Sequence, residues 1–79
     1  MKADEVLDTS GMVCPMPVLK TRKAAEKLEP GKVLKVIATD RGAKSDIPAW
    51  AKNSGFELLG MAEEEGRYVF YIRKPEVKE

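Results

Sequence analysis

The 79-residue chain contains no histidine and a single cysteine. Without histidine it lacks the usual general base, the commonest metal ligand and one partner of every Cys-His catalytic pair. No metal site and no cofactor are therefore expected. One cysteine, Cys14, excludes an internal disulfide and a CxxC redox couple. Whatever that thiol does covalently, it does with a partner molecule. Aromatic residues make up only 6% of the chain, and no interleaved basic and aromatic pattern marks a nucleic-acid surface. No stretch approaches the roughly 20 apolar residues of a membrane span. Residues 1–10 are acidic and lack the apolar run of a signal peptide. A cytoplasmic location without membrane contact is expected.

What the sequence does contain suits a small globular domain. Hydrophobic residues are 43% and charged residues 34% of the chain, proportions typical of folded proteins. A chain this short buries only about 60–65% of the surface its unfolded form exposes, so its core is thin. One domain over residues 1–79 is expected, with an ordered core over about 5–74 and a frayed tail over 75–79. The net charge of +1 conceals an uneven distribution. Residues 17–52 carry nine Lys/Arg against four Asp/Glu, whereas 1–16 and 53–66 are net negative. A basic middle suits an acidic partner surface as readily as a nucleic acid.

The pattern of apolar and turn residues predicts the element order βαβαββ. "EVLDT" (5–9) reads as a first strand ended by Ser10-Gly11. Residues 15–29 read as a helix, since Pro15 and Pro17 are tolerated only in a first turn. Val18, Leu19, Ala25 and Leu28 lie on or near one face of it and Lys20, Lys23 and Lys27 on the other. "KVLKVIAT" (32–39) is a β-branched central strand. Ser45 or Asp46 then caps a second helix to about Ser54, with Pro48 in its first turn. Residues 56–62 and 67–74 form a hairpin around Glu63-Glu64-Glu65-Gly66, a solvated turn. A strand–helix–strand crossover makes the first two strands parallel and right-handed. The expected fold class is α+β: a two-layer sandwich with a four-stranded mixed sheet and both helices on one face. The other face then shows Val33, Lys35 and Ile37 beside Val69, Tyr71 and Arg73. Trp50 reads as a core anchor. In this arrangement the loops after the first two strands share the sheet edge where open α/β sheets bind ligands.

Cys14 lies in the first of those loops, and Asp40, Arg41, Gly42 and Lys44 lie in the second. With Cys14 as N-cap, the helix dipole favours a thiolate, and a modestly lowered pKa is expected. Pro15 and Pro17 delete the N–H groups of the first and third helical positions, so no optimised anion cradle forms. What the prolines supply is fixed direction, for they hold Cys14 and Met16 stiffly and aim the sulfur outward. Met12 and Met16 flank it as an adaptable apolar collar. A lone cysteine can also be an inert small hydrophobe, but a proline-marked helix start in a strand–helix loop favours a functional thiol.

The segments "CPMPVLKTRKAAEKLEPG", "VIATDRGAKSDIPAWAKNSGFELL" and "YIRK" resemble the TusA/SirA family of small sulfur carriers, whose hallmark is Cys-Pro-x-Pro at the start of the first helix. The resemblance covers about Val6 to Lys74. It implies that Cys14, framed by Pro15, Met16 and Pro17, accepts sulfur as a persulfide. The donor would be a cysteine desulfurase or a rhodanese-like protein. The acceptor would be a DsrE-like or other protein serving tRNA thiolation, molybdenum-cofactor assembly or sulfur metabolism. Arg22, Asp40 and Asp46 match charged positions of the family pattern. With Lys20, Lys23 and Arg41 they form the expected partner-docking set. The chain would act stoichiometrically, as a monomer, rather than as a free-standing enzyme. The alternative is an RNA-binding or regulatory module using the basic helix face and open sheet, although direct nucleic-acid contact is not expected. A thiol peroxidase lacks its internal resolving cysteine.

Overall fold

The computed structural model describes residues 3–76. The chain forms β1 (Glu5–Thr9), α1 (Met16–Lys27), β2 (Val33–Ala38), α2 (Ala43–Asn53), β3 (Glu57–Glu64) and β4 (Arg67–Arg73). The strands make one sheet in the order β1-β2-β4-β3. β1 and β2 are parallel, while β4 is antiparallel to both β2 and β3. The expected element order and mixed sheet are found. Of the tail expected to fray, Pro75 and Glu76 are exposed, and 77–79 lie outside the described residues.

Alternation decides which face is covered. On β2, Leu34, Val36 and Ala38 are buried, and on β4 so are Tyr68, Phe70 and Ile72. These six residues pack with Ala25 and Leu28 of the α1 end and Ala43 and Ile47 of α2 in one apolar cluster. Both helices therefore cover the same face. The opposite face shows Val33, Lys35, Ile37, Val69 and Tyr71, all half-buried, with the Lys35 ammonium 6.0 Å from the centre of the Tyr71 ring. Trp50 sits at the margin of the core, half-buried, its ring centre 5.0 Å from that of Phe56.

Both helices begin differently from the sequence reading, and proline is involved each time. α1 starts one turn residue later: Pro15 is the N-cap and Pro17 the second helical residue. The Met16 N–H is taken by the Val13 carbonyl at 2.9 Å, which makes residues 13–16 a separate tight turn before the helix. α2 starts earlier, with Gly42 rather than Ser45 or Asp46 at the N-cap. It opens on three-residue steps, Ala43 to Asp40, Lys44 to Arg41 and Ser45 to Gly42. Pro48 consequently lies inside the helix instead of in its first turn. Its missing N–H leaves the Lys44 carbonyl without a helical donor, at an exposed residue open to solvent.

The β3–β4 hairpin closes through two residues, Glu65 (φ 48°) and Gly66 (φ 78°), between the Glu64–Arg67 pair. Two consecutive left-handed residues are the signature of a type I′ turn, which favours Asn-Gly. Glutamate has no local side-chain bond to offset that backbone. Glu65→Asn is expected to stabilise the protein by about 0.5 kcal/mol, raising the thermal midpoint by roughly 3 °C. A scanning melt of the two proteins checks it, and an unchanged or lower midpoint contradicts it.

Candidate functional site

The carboxyl ends of β1 and β2 are stitched together by threonines. Thr9 donates its hydroxyl to the Ile37 carbonyl at 2.6 Å, and the Thr39 hydroxyl accepts the Gly11 N–H at 2.8 Å. These bonds dock the β1–α1 loop (residues 10–15) beside the β2–α2 loop (residues 39–42). Residues 26 or more positions apart thus meet at one sheet edge, as expected for the ends of parallel strands.

Cys14 is exposed and occupies the residue before the α1 N-cap, in the turn closed by Val13 and Met16. The Cys14–Pro15 peptide bond is cis. Pro17 is buried, and its carbonyl accepts the buried Thr21 hydroxyl at 2.7 Å, so the first turn of α1 is locked from below. The sulfur is therefore held at the rim by a short, rigid segment.

Around the sulfur the structure places acid. Asp46, in the first turn of α2, accepts the Cys14 thiol proton at an Sγ–Oδ2 distance of 3.6 Å. Asp40 lies in the adjoining loop, and its Oδ2 is buried with no hydrogen-bond partner among the described residues. Gly42 sits between them: a Cβ there would be 2.9 Å from Asp40 Oδ2, 3.4 Å from Asp46 Oδ2 and 3.7 Å from the Cys14 Cβ. A side chain at this position would have to displace the Asp40 carboxylate, whereas φ, at −61°, makes no demand for glycine. The Cys14 thiol is pushed above its ordinary pKa. Partial desolvation by the surrounding loops comes first, then the hydrogen bond to Asp46 and the charges of Asp46 and Asp40. This reverses the expected lowering. The dipole argument assumed an N-cap thiolate, whereas Cys14 lies one residue outside the helix and faces carboxylates.

The remaining candidates lie on the outer side of α1. Met16, Leu19, Lys20, Arg22, Lys23 and Glu26 line a shallow groove of about 300 Å³. Val13, Met16 and Leu19 are 67%, 40% and 42% exposed, an apolar strip leading from the sulfur along the helix. Arg22 pairs with Glu26 at 3.5 Å, and Lys20 and Lys23 flank the strip. Arg41 is exposed in the β2–α2 loop. The expected docking set is thus divided: Lys20, Arg22 and Lys23 border the groove, whereas Asp40 and Asp46 turn inward to the thiol. Sequence reasoning brought the two loops to one edge but missed Gly42. Its only signal was a glycine between two aspartates, at a place where no turn demanded it.

Comparison with known proteins adds a further observation. Residues 5–74 match the family described as "Sulfurtransferase TusA". A putative sulfur carrier protein of Bacillus subtilis, YrkI, is 49% identical over 74 residues, covering 94% of this chain and 99% of that one. A putative sulfur carrier protein of Aquifex aeolicus is also 49% identical over 74 residues, but the match spans only 38% of its length. Among solved structures, a SirA-like protein from Desulfitobacterium hafniense superposes with a TM-score of 0.80 at 27% identity, over 91% of this chain and 99% of that one.

Proposed function

This chain belongs to the TusA sulfurtransferase family and is a sulfur carrier, and we propose that it carries sulfur as a persulfide on Cys14. The observation that supports this most directly is the exposed thiol of the chain's only cysteine, held at the helix rim by Pro15 and Pro17. In loading, the Cys14 thiolate attacks the outer sulfur of a persulfide held by the donor. The donor's sulfur–sulfur bond breaks as the new one forms, and the donor cysteine leaves as a thiol. Nothing is oxidised or reduced overall. Delivery repeats the exchange with an acceptor thiolate attacking the sulfur on Cys14. A second internal cysteine would discharge the persulfide early, and none is present.

Donor and acceptor reach the sulfur over α1. The strip Val13, Met16 and Leu19 offers apolar area, and Lys20 and Lys23 favour an acidic rim on the partner. A cysteine desulfurase or rhodanese-like donor and a DsrE-like acceptor are the partner classes this chemistry suits. A free reactive thiol persists in a reducing compartment, which fits a cytoplasmic carrier. No helix among the described residues is long and apolar enough to cross a membrane.

Incubation with a cysteine desulfurase and free cysteine, followed by intact-mass measurement, tests the proposal. One added sulfur atom, mapped to the peptide holding Cys14, is the expected result; an unchanged mass, with a known carrier loading in parallel, contradicts it. The docking surface has its own prediction. Lys20→Glu combined with Lys23→Glu should slow sulfur transfer about tenfold at low salt by weakening electrostatic steering. The deficit should shrink as salt is raised, because rim charges act over a Debye length of about 10 Å at 0.1 M. An equal deficit at all salt concentrations would count against charge steering.

A further inference from the structure

Two carboxylates beside a sulfur that must ionise to react look counterproductive. Asp46 Oδ2 stands 3.6 Å from Cys14 Sγ, and Gly42 adjoins the side chains of Asp40, Asp46 and Cys14 alike. Among the described residues no cation is found against the sulfur. The β1–α1 loop contributes no titratable group except Cys14 itself, and the first turn of α1 has no acid. Its first cation, Lys20, borders the groove on the outer side of the helix. From the β2–α2 side, Arg41 is exposed and Lys44 pairs with Glu63 at 3.4 Å. Among the described residues, the groups facing the thiol are therefore Asp46 and Asp40.

We propose that Asp46 is a positioning residue for the relay, holding the empty carrier's Cys14 as a protonated thiol turned toward α2 and releasing it once sulfur is loaded. The inference rests on Cys14 being the sulfur-bearing residue. In the empty carrier the S–H donates to the Asp46 carboxylate, an attraction that exists only while the proton stays on sulfur. Such a thiol is a poor nucleophile toward stray oxidants and disulfides, since the thiolate is the reacting form. Loading keeps the balance written above: the donor's S–S bond breaks, the Cys14 S–S bond forms, and one proton remains on each product. The product, however, is a stronger acid than the thiol. Once its outer sulfur ionises, it faces Asp46 and Asp40 as a like charge. The contact changes from attraction to repulsion, and the loaded side chain is driven outward, toward the strip where an acceptor docks. One pair of carboxylates thus gives the empty and loaded carriers different presentations of the same residue.

The test is the pH profile of alkylation of the empty, intact protein by iodoacetamide, for wild type, Asp46→Asn and Asp46→Glu. Asp46→Asn keeps the shape and removes the charge. Its profile should move to lower pH, and its rate at pH 7 should rise roughly threefold, because the gain in thiolate is partly offset by weaker intrinsic nucleophilicity. Asp46→Glu retains the charge and should stay near wild type. Asp40→Asn should move the profile the same way by less, since Asp40 makes no hydrogen bond to the sulfur. Superimposable wild-type and Asp46→Asn profiles would overturn the proposal. So would equal acceleration in Asp46→Asn and Asp46→Glu, which would mean mere loosening of the loop. Sulfur loading measured separately on the wild type keeps the two ideas apart. Loading with an unmoved profile sinks the role of Asp46 alone, and absent loading sinks the persulfide reading itself.

Discussion

Cys14→Ser is expected to abolish sulfur loading altogether, not merely to slow it. Serine retains the size and the turn, so residues 13–16 and the start of α1 should form as before. Its hydroxyl can still donate to Asp46. What disappears is the sulfur nucleophile, and the chain has no second cysteine to take its place. Methionine cannot substitute, because a thioether has no ionisable proton and cannot hold an outer sulfur as a persulfide. Intact mass after exposure to donor and cysteine should therefore show no added sulfur, while the circular dichroism spectrum and thermal midpoint match the wild type. Cys14 is exposed and anchors no core contact, which is why the fold should be indifferent to the change. Any mass gain by one sulfur in Cys14→Ser would contradict the assignment.

The complementary prediction removes the fold and leaves the thiol. Phe70 is fully buried at the centre of β4, flanked by Val36 on β2 and Met61 on β3. It is the largest of the fully buried side chains. Truncating such a phenylalanine costs about 3–5 kcal/mol, because lost transfer energy and an unfilled cavity add. A domain of this size has a total stability of about 4–12 kcal/mol. Phe70→Ala should therefore lower the thermal midpoint by more than about 15 °C, or leave the protein largely unfolded. Phe70→Leu, which keeps most of the volume, should be much milder. Phe70→Ala should also lose partner-dependent loading, although its cysteine is chemically intact. A midpoint within a few degrees of wild type would show that the core does not depend on this ring.

Much of this architecture can be read from the chain. β1 occupies residues 5–9, the segment read as a strand ended by Ser10-Gly11, and both helices cover the face that Leu34, Val36, Phe70 and Ile72 define. The parallel β1–β2 pair then brings Cys14 and the Asp40–Asp46 segment to one edge. Three things were not legible. The helix starts depend on competition between tight turns and helical bonds, at 13–16 and again at 40–45, and proline patterns alone do not decide it. The contact between Cys14 and Asp46 spans 32 residues. Topology brings their loops together but does not say which side chains touch. The direction of the thiol's pKa followed from partial desolvation by the two loops and then from that contact, so it was hidden with them. A helix dipole is a general expectation, and desolvation together with a carboxylate 3.6 Å away are particular facts that outweigh it.

The way the two ends of the fold are tied has a consequence for how the carrier can be built into larger proteins. The Asp4 N–H bonds the Val33 carbonyl, and the Lys74 N–H bonds the Lys32 carbonyl. The first and last described segments thus lie side by side at the start of β2. Cys14 lies at its other end. Six residues of extended chain separate the two, roughly 17 Å. A neighbouring domain joined at either terminus would hang from the pole opposite the sulfur, leaving the thiol and the α1 groove unobstructed. Tethered in that way, the fold becomes a swinging arm whose reach is set by its linker and whose cargo end stays free.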